Sequence, residues 1–247
     1  IASSLSLLKA RIKGQERCLT DSNTPYRKKP QKFNEDLIEL IQDEADQILQ
    51  GTKREGYKAA LFAFGPMPAL IGLGSLLGNK NEFIPMLRYR DSSSWLWPHE
   101  NVIDAFYEIK GLDSLTNNDD VVICINFTAI AKPLQQRAEN LNRTLGAGII
   151  EITALPEYLG NGAIPNPESG KKFCARLQQL LHDLKNKYDV KRVHLLVCAS
   201  NAACVFIGQA IDLHHPEIIA YDFVKDDMLP HLIIKNNGKT NVLALPS

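Results

Sequence analysis

No apolar run in this 247-residue chain approaches the roughly 20 residues that a membrane-spanning helix needs, so insertion into a bilayer is not expected. Charge of one sign is equally lacking, because 28 Lys and Arg balance 28 Asp and Glu. Coating duplex nucleic acid draws on excess positive charge, which argues against that role. A small anionic ligand held by a few local arginines is compatible with neutrality. The five cysteines, Cys18, Cys124, Cys174, Cys198 and Cys204, form neither a Cys-x-x-Cys pair nor a secreted-type framework. Cys124, Cys198 and Cys204 sit in apolar runs, as reduced thiols of a cytoplasmic protein do.

Catalytic signatures are missing too. The sequence has no Gly-Lys-Ser/Thr phosphate loop, no Gly-x-Ser-x-Gly elbow, no His-Asn-His nuclease pattern and no carboxylate pairing that points to hydrolysis. His214-His215, near Asp212 and Glu217, are adjacent, and adjacent loop residues rarely converge on one metal ion; they read as solvated loop histidines. No catalytic residue, metal or cofactor is therefore expected. The chain opens on Ile1 rather than Met, so it is expected to be a piece of something longer.

What the chain does have is an internal echo. Residues 61–90 and 195–224 align without a gap at an offset of 134. Leu61-Phe62-Ala63-Phe64 falls on Leu195-Leu196-Val197-Cys198, Gly65-Pro66-Met67-Pro68 on Ala199-Ser200-Asn201-Ala202, and Gly74 on Gly208. Each copy reads as a short apolar strand, a loop of small residues, an apolar helix and a second strand. In parallel α/β layers ligands bind at the carboxyl ends of strands, so two copies offer two loops facing one pocket.

The rest of the chain completes this order. A helical pattern over 1–20 is followed by a polar and basic linker, Thr20 to Pro30, and an amphipathic helix over 35–50. Then come strand 59–64, helix 68–77, strand 83–90, the apolar run Val121–Phe127, helix 133–145 and strand 149–153. The second half supplies helix 168–187, strand 193–198, helix 202–213, strand 217–224 and a hairpin turning at Asn236-Asn237-Gly238-Lys239. The expected fold class is α/β: two fused Rossmann-like lobes with parallel-rich sheets, residues 57–154 and 155–247, behind a helical linker over 1–56.

Several residues at the strand ends are suited to a nucleotide, and each has a structural alternative. Gly65, Pro66, Met67 and Pro68 lead from a strand into a helix, where backbone amides at the helix start can meet a phosphate, or they merely form a rigid turn. Arg88 and Arg90, on either side of Tyr89, alternate on one strand; they fit a phosphate or pair with Asp91, Asp104 or Glu100. Trp95 and Trp97 can stack on a base or pack in the core. Ser200 and Asn201 can hold a phosphate or cap the next helix. Tyr221, Asp222 and Phe223 align with Leu87, Arg88 and Tyr89, with Asp222 suited to a base amino group. Thr128 is a further pocket candidate.

The order Leu61-Phe62-Ala63-Phe64-Gly65-Pro66-Met67-Pro68 into Ile71–Leu77, then Arg88-Tyr89-Arg90-Asp91 and Trp95-Leu96-Trp97, resembles the SAVED domain of bacterial antiphage effectors. So does His194-Leu195-Leu196-Val197 running into Ala203 and Gly208, followed by His215-Pro216 and Tyr221-Asp222-Phe223. The resemblance spans roughly 57–247. It implies a fusion of two CARF-like lobes that binds a cyclic oligonucleotide made by a cognate nucleotidyltransferase in CBASS defence, with a dinucleotide favoured over a trinucleotide. It further implies self-association on ligand binding, and an attached endonuclease, of HNH type, that meets DNA in place of the sensor. The rival readings are a small α/β enzyme acting on a nucleotide or sugar phosphate, and a protein-binding scaffold.

Overall fold

A strand as uniformly apolar as Val121-Val122-Ile123-Cys124-Ile125 is stable only with both faces covered. The computed structural model, which describes residues 9–12, 15–18, 30–52, 59–79, 83–89, 95–116 and 118–246, puts it near the middle of a seven-stranded sheet. Across that sheet run β11 (Asn241–Ala244), β10 (Asp227–Asn236), β9 (Glu217–Val224), β8 (Arg192–Cys198), β6 (Asp120–Asn126), β7 (Gly148–Ala154) and β5 (Tyr107–Lys110). The four strands β9, β8, β6 and β7 are parallel, and antiparallel strands complete both sides. Helix α3 (Lys132–Leu145) covers one face, burying Leu134, Ala138 and Leu141 over Val122, Cys124 and Leu196.

The other face carries α4 (Pro167–Lys187), α2 (Met67–Leu77) and α5 (Asn201–Gln209). Beyond them lies a second, four-stranded sheet ordered β2 (Gln15–Cys18), β1 (Lys9–Ile12), β3 (Ala59–Phe62), β4 (Phe83–Pro85). Apolar residues of both sheets and these helices form one continuous core, joined by Ile41, Ala45 and Ile48 of α1 (Pro30–Thr52). The α1 stripe follows the helical spacing of its apolar residues.

The internal echo is real in three dimensions. β3, α2 and β4 in one sheet layer correspond at the same offset to β8, α5 and β9 in the other. The equivalent helices α2 and α5 cross directly, and the crossing is reciprocal. A Cβ on Gly74 would stand 2.9 Å from Gly208 Cα and would meet the Val205 carbonyl oxygen. A Cβ on Gly208 would stand 2.8 Å from Gly74 Cα and would meet the carbonyl oxygen of Ile71, the equivalent of Val205. Equivalent residues exchanging contacts in this way mark a local two-fold relation.

Some expectations are corrected. Residues 1–20 contain strands at Lys9–Ile12 and Gln15–Cys18 in place of a helix, and Lys9, Ala10, Arg11 and Ile12 do alternate at period two. The strand expected over 83–90 ends at Pro85, with one further bond from the Met86 amide to the Leu61 carbonyl at 2.8 Å; Arg88 makes only an isolated bridge to Trp95. The helix expected over 202–213 ends at Gln209. The boundary expected at 154/155 falls within the large sheet, since β6 needs β7 on one side and β8 on the other. His214 is exposed as expected, but His215 is buried: its Nδ1 accepts from the Asp212 amide at 3.0 Å, and burial pushes its pKa down to about 4. The linker expected over Thr20 to Pro30 lies, up to its last residue, outside the described residues.

Candidate functional site

The carboxyl ends of β3, β6, β8 and β9 and the amino ends of α2 and α5 lie at the same end of the molecule. The link between the two layers is direct: Asn201, first residue of α5, donates from Nδ2 to the carbonyl of Ala63, just past β3, at 3.3 Å. Neither helix carries an acidic residue in its first turn, where negative charge would offset the positive end of the helix. At α2 the cap position is Pro66, no side chain caps the helix, and Pro68 sits in its first turn. Gly65, Pro66 and Met67 are half-buried there and Pro68 is buried. At α5 the Ser200 hydroxyl accepts from the Ala203 amide at 3.4 Å, a loose cap.

Arg88 is the cation of this edge. Its guanidinium lies 4.7 Å from the Phe64 ring centroid and 6.0 Å from that of Trp95, and Trp95 in turn meets Phe62 edge-on at 5.2 Å. Such stacking orients a guanidinium and leaves its N–H edges free for a bidentate anion. Among the described residues Arg88 makes no ion pair, and of the carboxylates expected as partners Asp104 is engaged by Lys172 at 2.8 Å. The main chain at Arg88 is held by Asn161, whose Nδ2 donates to its carbonyl at 2.9 Å. Tyr89 is half-buried beside Gly162, and burial raises its pKa. Arg90 lies outside the described residues.

The remaining candidates separate. Thr128 is exposed beyond β6, with its amide bonded to the Cys198 carbonyl at 2.8 Å, so it flanks the loop carrying Ser200. Trp97 packs on Phe206 of α5 at 6.1 Å, with its indole N–H buried and unbonded. Tyr221, Asp222 and Phe223 do not act together, because consecutive strand residues point to opposite faces. Tyr221 and Phe223 face the α3 side. There Tyr221 Oη meets His194 Nδ1 at 2.9 Å, His194 Nε2 meets Asp120 at 3.0 Å, and Arg192 grips Asp120 with two contacts of 2.8 Å. Burial lowers the His194 pKa and raises that of Tyr221, and the Arg192 and His194 contacts outweigh burial to hold Asp120 below its ordinary value. Asp222 faces the other side and lines a small pocket, of about 20 Å³, with Pro66, Pro68 and His231.

Phe64, Asn161 and His231 are additions that sequence reading missed. Asn161 lies in the Pro-, Gly- and Asn-rich stretch 155–169, whose composition marks a loop but not its destination. Among the described residues no cluster of His, Cys, Asp and Glu is arranged to hold a metal, and no helix is long and apolar enough to cross a membrane.

A duplicated βαβ unit whose two loops share one edge, with an arginine there that makes no ion pair among the described residues, defines an α/β domain organised about a local two-fold. The family profile described as SAVED, "SMODS-associated and fused to various effectors sensor domain", matches residues 41–231, and the chain belongs to that family. Among solved structures it is similar to the Acinetobacter baumannii Cap4 SAVED/CARF-domain containing receptor with the cyclic trinucleotide 3'3'3'-cAAA, at 16% identity and TM-score 0.60, covering 85% of this chain and 46% of that one. The same receptor with 2'3'3'-cAAA gives 18% identity and TM-score 0.57, covering 86% and 46%. The Moraxella osloensis Cap4 receptor gives 18% identity and TM-score 0.55, covering 86% and 44%. The chain thus spans less than half the length of these receptors. A search of curated sequences gave no match.

Proposed function

We propose that this chain is the ligand-sensing part of a CBASS effector and binds a cyclic oligonucleotide at the shared strand-end edge. The observation that carries the reading is Arg88: a half-buried guanidinium, stacked on Phe64 and Trp95 and free of a carboxylate partner among the described residues, on the edge where two helices begin with no acidic residue in their first turns. Phosphates of the ring sit on Arg88, on the amides of Gly65 and Met67 in the loop that Pro66 and Pro68 shape, and on those of Ser200 and Asn201; Trp95 stacks on a base, with Tyr89, Arg90 and Thr128 at the rim. The domain is a receptor and does not turn the ligand over. Tyr221, Phe223 and Trp97 support the site from the core and do not touch the ligand.

A cyclic dinucleotide is the ring that the family resemblance favours, whereas both ligand-bound Cap4 neighbours hold trinucleotides, so both ring sizes belong in the test. Ligand from a cognate nucleotidyltransferase favours a self-associated state, since a ligand shifts an equilibrium only through differential affinity. That state brings together attached endonuclease domains, of the HNH type that the family resemblance implies, in the bacterial cytoplasm. The test is thermal stability of the chain against cyclic di- and trinucleotides. At a hundred times its dissociation constant the true ligand adds about 2.7 kcal/mol, or about 5–11 °C for a domain of this size. Sedimentation in its presence then reads self-association. Uniform silence across the panel overturns the reading.

A further inference from the structure

The two copies of the site differ most at one pair of equivalent positions. Arg88 in the first copy corresponds to Asp222 in the second, so the local two-fold relates a cation to an anion. Their surroundings differ accordingly. Arg88 has aromatic rings beneath it, while Asp222 opens onto a narrow apolar slot between α1, the start of α2 and β10, walled by Leu37, Ile38, Pro66, Pro68 and Leu232.

Within that slot the carboxylate is under-supplied with donors. Oδ1 accepts from the Phe223 amide at 2.9 Å, and Oδ2 has no partner among the described residues. No Lys or Arg lines the slot. His231 is the other polar side chain there, and its Nδ1 lies 3.0 Å from the Leu229 carbonyl, where it donates. Burial raises the Asp222 pKa, and neither the Phe223 amide nor His231 offsets it. A carboxylate offers acceptors alone, and one facing apolar walls is stabilised by whatever brings an N–H to it.

We propose that Asp222 is the base-reading residue of the site, accepting a hydrogen bond from an exocyclic amino group, while its counterpart Arg88 holds a phosphate. The assignment rests on the cyclic oligonucleotide reading above and deepens it. The two-fold then holds for the backbone and is broken for recognition: one half reads charge, the other reads base identity. Bases with an amine at that place are selected over bases presenting a carbonyl, whose lone pairs would face the carboxylate. A site committed to a hydrogen-bond donor rejects analogues that lack it, because its own polar group is left unpaired.

The test compares two rings of the same size and linkage, cyclic triadenylate and its purine-riboside analogue, which lacks the 6-amine and keeps N1 as an acceptor. Wild-type chain is expected to bind the adenine ring at least about 10-fold more tightly, the factor that one lost hydrogen bond costs. Asp222→Asn, which removes the carboxylate left unpaired by the missing amine, and Asp222→Ser, as an independent second variant, are each expected to close most of that gap. Arg88→Ala is expected to weaken both rings by a similar factor. Equal wild-type affinity for the two rings overturns the assignment without needing any variant, and so does a gap that survives both Asp222 substitutions. Binding with no base preference leaves the sensor reading standing and removes Asp222 from it. Failure of wild-type chain to bind any cyclic ring of either size removes both.

Discussion

The crossing of α2 and α5 yields a prediction with opposed signs. Gly→Ala inside a helix ordinarily favours folding by about 1 kcal/mol through propensity. Gly72 and Gly74 lie in the same helix, so that gain is common to both. Their surroundings differ. A Cβ on Gly72 would stand 2.8 Å from Leu232 Cδ2 and 3.2 Å from Leu243 Cδ1, both ends of side chains that can rotate away. A Cβ on Gly74 would meet the Val205 carbonyl oxygen and the Gln209 amide nitrogen, the latter at 2.9 Å, and neither backbone group can move without moving α5. Overpacking against fixed atoms costs about 1–3 kcal/mol and more where backbone must shift. Gly72→Ala is therefore expected to stay within about 1 kcal/mol of wild type, and Gly74→Ala to lose about 2 kcal/mol, or about 4–8 °C in Tm. Gly208→Ala should match Gly74→Ala, because the contact is reciprocal. The double variant should fall short of the sum by about 0.5–3 kcal/mol, since helices already separated by one methyl accommodate the second. Urea denaturation of wild type and the four variants at pH 7 measures this. A Gly74→Ala variant as stable as Gly72→Ala, or strict additivity at the crossing, refutes the reciprocal packing.

Other predictions concern the site and its supports. Arg88→Ala is expected to lower ligand affinity about 10- to 100-fold, the worth of a charged hydrogen bond, at unchanged melting temperature, as read by calorimetric titration. Trp95→Ala should likewise cost affinity, whereas Trp97→Ala, which empties the contact with Phe206, should cost about 3 kcal/mol or more of stability. Tyr221→Phe leaves His194 Nδ1 without its partner and should lose about 1–3 kcal/mol of stability with ligand affinity unchanged; weakened binding would return Tyr221 to the site. His215 titrates near pH 4 when folded, against an ordinary 6.5. The unfolded chain thus binds the extra proton between these values, and stability is expected to fall as pH drops from about 6.5 towards 4. The lowered His194 pKa acts in the same direction. His215→Asn should make that decline shallower in urea midpoints measured at pH 7 and 4.5.

Much of the architecture was legible in the chain. Periodicity located α1, α4, β6 and β9, because apolar spacing is a local consequence of which face is buried. The offset between the two copies, read from Gly74 and Gly208 and the loops before them, held in space because each copy folds into the same strand–helix–strand unit. Arg88, Trp95 and the Gly65–Pro68 loop could be proposed as neighbours because they follow strands that end on one edge. The alternation of Tyr221, Asp222 and Phe223 was equally available from strand geometry, and ignoring it grouped residues that face opposite layers.

Tertiary structure alone decided the rest. β6 and β7 joined the large sheet because a strand apolar on both faces takes whichever neighbours cover it, and no local pattern names them. Asn161 reached Arg88 across the fold, and Asp222 met α1 and the start of α2 through packing that no spacing encodes. His215 looked like its solvated neighbour His214, yet burial fixed it neutral. Local chemistry determined which elements form and which residues could serve a ligand. Long-range burial, which is blind to sequence separation, determined which of them meet.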